Sequence, residues 1–306
     1  MKLKFDVFGK TQPDPFIFED GDKLYLYASG VGDAKGVEVY SANDLFGIWH
    51  YEGLAVADTP KQRQYWAPSV IKHEGKYYMY VSFMEGKNFQ FMHVLTADSP
   101  LGPFGNPVRL YDRFSIDSHA VRTDEGLFLW YAENNTASER IGTRVYVDKL
   151  LDPVTPAGIC REVLVPTVDQ EIFTPLWRED NKWHTLEGPF WFREGDWQYV
   201  MYSGGCYQDD TYHIGYAAAK TDEQDLTRID FIKHTKNGVF DPVMIKNAWE
   251  EGTGHHSVIK YRGEYYAVYH ARDYGLQHLR EARTARVCKL HVADGIITAE
   301  PHEDRV

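Results

Sequence analysis

Apolar and polar positions recur along this chain in one repeated pattern. A short apolar run leads into a charged turn, and a strand rich in tyrosine or tryptophan follows. The pattern occupies residues 13–29 (PDPFIFEDGDKLYLYAS), 66–82 (WAPSVIKHEGKYYMYVS), 116–132 (IDSHAVRTDEGLFLWYA), 186–203 (LEGPFWFREGDWQYVMYS) and 254–270 (GHHSVIKYRGEYYAVYH). Each segment reads as a β-hairpin, with Gly21, Gly75, Gly126, Gly195 or Gly263 in its turn. With Asp14, Ala67, Asp117, Glu187 and His255 as opening positions, the openings lie 53, 50, 70 and 68 residues apart. That spacing leaves room for two more strands per repeat, so an all-β, five-bladed β-propeller is expected. A β-sandwich of unrelated hairpins is the competing architecture. Helix is expected only in short connections such as residues 222–226.

Composition narrows the picture. Aromatic residues make up 15% of the 306, a bias that suits pleated, half-buried surfaces. No linker rich in Pro, Gly or Ser divides the chain, so residues 1–306 are expected to be one catalytic domain without an appended β-sandwich module. The 33 basic against 45 acidic side chains give a formal charge of −12, which argues against nucleic acid as a partner. No apolar run approaches the ~20 residues that span a bilayer, so no membrane partner is expected. A homo-oligomer is left open. Cys160, Cys206 and Cys288 are few and far apart, as expected of reduced thiols. The opening MKLKFD lacks the apolar stretch of a secretory signal, so a cytoplasmic location is expected.

The candidate chemistry lies at the openings. In a propeller these positions converge on one end of the central channel, and three of them are the acids Asp14, Asp117 and Glu187. Any one alone could shape a turn, bond a neighbouring backbone group or cap a strand. Three buried together call for another reason, because unpaired buried carboxylates are costly. Glycoside hydrolysis uses two carboxyl groups, one protonated and one ionised. A third, negative neighbour can raise the acid's pKa.

The motifs around Asp14 (QPDPFIF), Trp66 (WAPSV), Asp117 (SIDSHAV), Glu187 (LEGPFWF) and His255 (GHHSV) resemble, in order and spacing, those of glycoside hydrolase family 43. The resemblance covers nearly the whole chain. It implies that Asp14 is the general base, Asp117 the carboxylate that modulates pKa and orients substrate, and Glu187 the general acid. It also implies inversion at the anomeric carbon, with the base and acid carboxyls ~6.5–9.5 Å apart. A lone histidine at a strand start is more often structural. In this family, however, the matching segment can bind a divalent cation, which makes His255 the candidate ligand, calcium the favoured ion with magnesium as the alternative, and His256 a weaker choice.

Residues 283–289 (RTARVCK) resemble the segment that supplies a substrate-binding arginine in related xylosidases, so Arg283 is the candidate and Arg272 its rival. A salt bridge is the alternative for either. Trp66 offers an apolar face to a sugar ring, or packs between blades. Two departures stand out. Gly30, Val31 and Gly32 follow Ser29 where some xylosidases carry an aromatic, and the small residues of SGGCY around Cys206 would allow close approach to a ligand. The expected activity is exo-release of terminal xylose from β-1,4-xylo-oligosaccharides, with some α-L-arabinofuranosidase activity. A mainly arabinan-directed enzyme and a non-catalytic sugar-binding propeller are the alternatives.

Overall fold

The computed structural model describes residues 1–32, 34–173, 182–279 and 281–300. Strand dominates, and all five expected hairpins are present. They are Phe16–Asp20 with Lys23–Ala28, Gln62–His73 with Lys76–Glu85, Gly105–Thr123 with Gly126–Asn135, Leu186–Glu194 with Trp197–Gly204, and Glu250–Tyr261 with Glu264–Asp273. Two further antiparallel strands extend each hairpin outward, giving five four-stranded units. The second and third units share one strand. Gly105–Thr123 pairs through Val108 with Val94 on one side, and through Val121 with Phe128 on the other.

The first strands pack side by side in chain order, and Glu250–Tyr261 of the fifth unit lies against Phe16–Asp20 of the first. Main-chain bonds also join these two units. Lys4–Phe5 runs parallel to Ile48–Trp49, while Leu3 N–H donates to Ala285 O at 3.0 Å and Val287 N–H to Met1 O at 2.8 Å.

The core explains why the second strands read as nearly continuous apolar runs. Successive side chains of a strand point to opposite faces, and here both faces are covered by neighbouring units. Tyr27 packs with Met79 and Phe83 of the second unit, whereas adjacent Leu26 packs with Val268 and Val287 of the fifth. Tyr80 shares one buried cluster with Leu129 and Tyr131, Trp130 another with Val200 and Tyr202, and Tyr199 a third with Tyr269. Each such fully buried side chain contributes roughly 1.5–3 kcal/mol.

Among the described residues, helix is limited to the 3-10 turns Asp169–Glu171 and Leu226–Arg228. Residues 222–226 do not form the expected helix. Asp225 there accepts the Thr227 N–H at 3.1 Å and caps the turn that follows. All three cysteines are free.

Candidate active site

The first strands do not start smoothly. Asp14, Ala67, Asp117, Gly188 and His255 all have positive φ, between 45° and 61°. The ladder register shifts close to the last four. A non-glycine residue held there costs about 1–3 kcal/mol, and such strain gathers at functional sites. The repeat drawn from sequence is therefore one residue out in the fourth unit. Gly188 holds the position equivalent to Asp14 and Asp117, and Glu187 precedes it. The kinked backbone also bonds across units. Ala67 N–H donates to Ser29 Oγ at 2.7 Å, His255 N–H to Ser203 Oγ at 2.7 Å, and Asp14 N–H to His270 Nδ1 at 3.0 Å.

Asp14 is buried against a cation. Arg283 Nη1 donates to its Oδ1 at 3.1 Å, and the Ser29 hydroxyl donates to its Oδ2 at 2.6 Å. Burial alone would raise this carboxyl, but the Arg283 guanidinium beside it holds it well below the usual carboxylate range. Burial also pushes His255 down, and His270 to about 3, so both rings are neutral near pH 7. The ionisation of Asp14 thus depends chiefly on Arg283.

The other two acids behave in the opposite way. Asp117 accepts the Gly188 N–H at 3.1 Å, yet burial, then the nearby Glu187 and Asp14, raises it well above its ordinary value. Glu187 accepts the Tyr212 hydroxyl at 2.6 Å on Oε1. Burial pushes it up to about 7, the Tyr212 bond opposing and the charge of Asp14 adding to the rise. Tyr212 fits because residue 254 is glycine: a Cβ there would lie 2.0 Å from the tyrosine ring. One cluster therefore holds an ionised carboxylate and a protonated carboxyl, the pairing used by a general base and a general acid.

His255 joins these groups. Its Nδ1 lies 3.5 Å from Asp14 Oδ1 and 3.9 Å from Asp117 Oδ2. Asp117, Glu187 and His255 each offer a ligand atom within 4.8 Å of the others, a set that fits a hard divalent cation. Alongside is a cavity of about 10 Å³, room for one water, bordered by Asp14, Ser118, His255 and His256 among others. Both ring nitrogens of His256 are buried without a hydrogen-bond partner among the described residues.

Arg283 and Arg272 occupy different layers. The guanidinium of Arg283 also contacts Glu281 and lies 4.7 Å from the Tyr207 ring centre. Arg272 is fully buried and donates to the carbonyls of Tyr207 and Asp209 at 2.6 and 2.8 Å, fixing the loop that carries Tyr207. Trp66 is half-buried and meets Phe89 edge-on. The small residues before Cys206 make close approaches within the protein: a Cβ on Gly204 would lie 2.8 Å from the His213 ring, and one on Gly205 2.7 Å from Thr211 O. Cys206 itself is buried, which pushes its thiol up.

Sequence reasoning missed Ser29, His270, Tyr207 and Tyr212. Ser29 and His270 left a signal, since both close a repeated segment with a polar residue after an apolar strand. Tyr207 and Tyr212 left none.

The profile of "Glycosyl hydrolases family 43" matches residues 7–297. The chain belongs to that family. It is a glycoside hydrolase. A "Xylosidase/arabinosidase" of Bacteroides ovatus is 25% identical, covering 98% of this chain and 98% of its own length. An "Extracellular exo-alpha-(1->5)-L-arabinofuranosidase" of Cellvibrio japonicus (strain Ueda107) is 24% identical over 88% of this chain and 81% of its own. Among solved structures, a thermostable family-43 glycoside hydrolase is 27% identical with a TM-score of 0.80, covering 98% of this chain and 96% of that one.

Proposed function

We propose that this family 43 enzyme is an inverting exo-glycosidase on a five-bladed β-propeller, releasing terminal xylose from β-1,4-xylo-oligosaccharides and acting also on terminal α-L-arabinofuranosides. The observation that carries the reading is the split between Asp14, held ionised, and Glu187, raised to about 7. In this scheme Asp14 takes a proton from a water as its oxygen bonds to the anomeric carbon, while Glu187 gives its proton to the departing glycosidic oxygen. Burial and the charge of Asp14 keep Glu187 from ionising, and Asp117 orients the sugar. Arg283 keeps Asp14 charged and reaches towards substrate hydroxyls. The propeller reading draws support from five units whose first strands neighbour one another in order and whose first and last members are bonded together.

The choice of sugar rests on the relatives. The Bacteroides enzyme is named for both sugars and favours the dual reading. The Cellvibrio enzyme is named for arabinofuranosides and favours a second reading, a mainly arabinan-directed enzyme. Calcium or magnesium would be held at His255, with His256 a weaker candidate, and would supply positive charge beside the acids. A Glu187 bound directly to such an ion would have to be ionised, so the proposed ligand is the histidine rather than the acid.

Proton NMR of the first product, with parallel kinetics on xylobiose, arabinobiose and the two nitrophenyl glycosides, tests the reading. The expected result is an inverted product from the non-reducing end, with xylobiose the better disaccharide. A product of retained configuration overturns the assignment of Asp14 as base.

A further inference from the structure

The second unit carries an aromatic shelf that the chemistry above does not use. Phe89, the second residue of Asn88–Ala97, is 47% exposed. Its ring meets Trp66 edge-on at 5.3 Å and stacks with the half-buried Phe114 at 6.5 Å. The backbone under the shelf is strained at two non-glycine residues, Gln64 with φ 59° and Gln90 with φ 55°. They are tied together, for the buried Gln90 amide donates to Gln64 O at 2.9 Å. Left-handed backbone at two linked positions persists only where its surroundings impose it, and here it flanks Trp66 on one strand and Phe89 on the other.

The shelf is also linked to the acids. Ala67, next in the chain after Trp66, donates to Ser29 Oγ, and that hydroxyl donates to Asp14 Oδ2. Phe114 stands three residues before Asp117 in the strand Gly105–Thr123.

We propose that Phe89, backed by Trp66, is the platform for the leaving-group sugar of an oligosaccharide substrate. The inference rests on the exo reading. In an exo-acting enzyme the terminal sugar occupies the buried end at the acids, so the exposed Phe89 ring, connected to Asp14 through Trp66, Ala67 and Ser29, is assigned to what is released. Aromatic faces suit the C–H faces of a sugar, and Phe89 offers such a surface on a fixed backbone. Contact with the leaving sugar persists from bound substrate to transition state, so it acts through KM rather than kcat. A leaving group of one atom does not reach it.

The test uses Phe89→Ala and Phe89→Trp with two substrates, the better cleaved of xylotriose and arabinotriose and the matching glycosyl fluoride. Phe89→Ala is expected to raise KM for the trisaccharide roughly five- to tenfold with kcat little changed, leave the fluoride unaffected, and be rescued by Phe89→Trp. Equal effects on both substrates, or none on either, overturn the platform. In parallel, calorimetric titration of Glu187→Gln with the trisaccharide, with and without Phe89→Ala, reads binding without turnover. A wild-type enzyme that cleaves neither substrate sinks the proposed function, while the titration still decides the platform: weaker binding supports it, unchanged or absent binding overturns it.

Discussion

Asp14 and Glu187 are both enclosed carboxyls at the ends of first strands, yet their surroundings drive them to opposite protonation states. Around Asp14 stand a guanidinium, a hydroxyl and two imidazoles. Glu187 has one phenol hydroxyl, and its nearest ionisable neighbours include another acid. Burial pushes both carboxyls the same way, so the difference comes from the partners. A single arginine divides the cluster into a base and an acid.

Removing either side should have the largest effect. Asp14→Asn and Glu187→Gln are each expected to lower kcat by about 10²–10⁴. Only the Glu187 variant should recover much of that with a leaving group that needs no proton, and single-turnover kinetics on activated and unactivated glycosides reads the contrast. If both variants are rescued equally, the two carboxyls do not have separate roles.

Arg283→Met attacks the cause of the split. Without the guanidinium Asp14 loses its main counter-charge and its pKa rises, so the acid limb of kcat/KM should move to higher pH, with a loss of about tenfold or more at pH 7. An acid limb that stays in place would mean that the neighbouring histidines or Ser29 suffice.

The alkaline limb reports the other half. Glu187 must hold its proton, so activity should fall as pH rises through about 7. The Tyr212 hydroxyl bond favours the ionised form, so Tyr212→Phe should shift that limb upward, with less than about a tenfold change in rate at pH 6.

The smallest effect concerns stability. The folded-state pKa of Glu187 lies above its ordinary value, so the folded protein is favoured below about 4.5 and loses that advantage as pH rises through about 7. Glu187→Gln removes this loss. Its Tm should exceed that of the wild type by about a few degrees at pH 8 and match it near pH 4.

The same contrast shows what could be read from sequence. The hairpins were legible because their second strands are apolar on both faces, and the acids because they recur at the openings. The position of Glu187 was misjudged by one residue, since hydrophobic period alone does not reveal that the left-handed backbone falls on Gly188. Arg283 came into view through resemblance only; its place beside Asp14 depends on a contact spanning 269 residues. Tyr212 sits in a loop with no repeat counterpart, and its tie to Glu187 exists only once Gly254 has let the ring in.

The pairing of residues 1–5 with both the first and the last units has a consequence for biosynthesis. During synthesis residues 4–5 can pair with Ile48–Trp49 long before the other partners of this segment, residues 285–287, have emerged. Until then the nascent chain keeps two raw strand edges, the kind of surface that recruits chaperones or other chains. A latch that waits for residues 285–287 leaves both edges open to aggregation until those residues have been made.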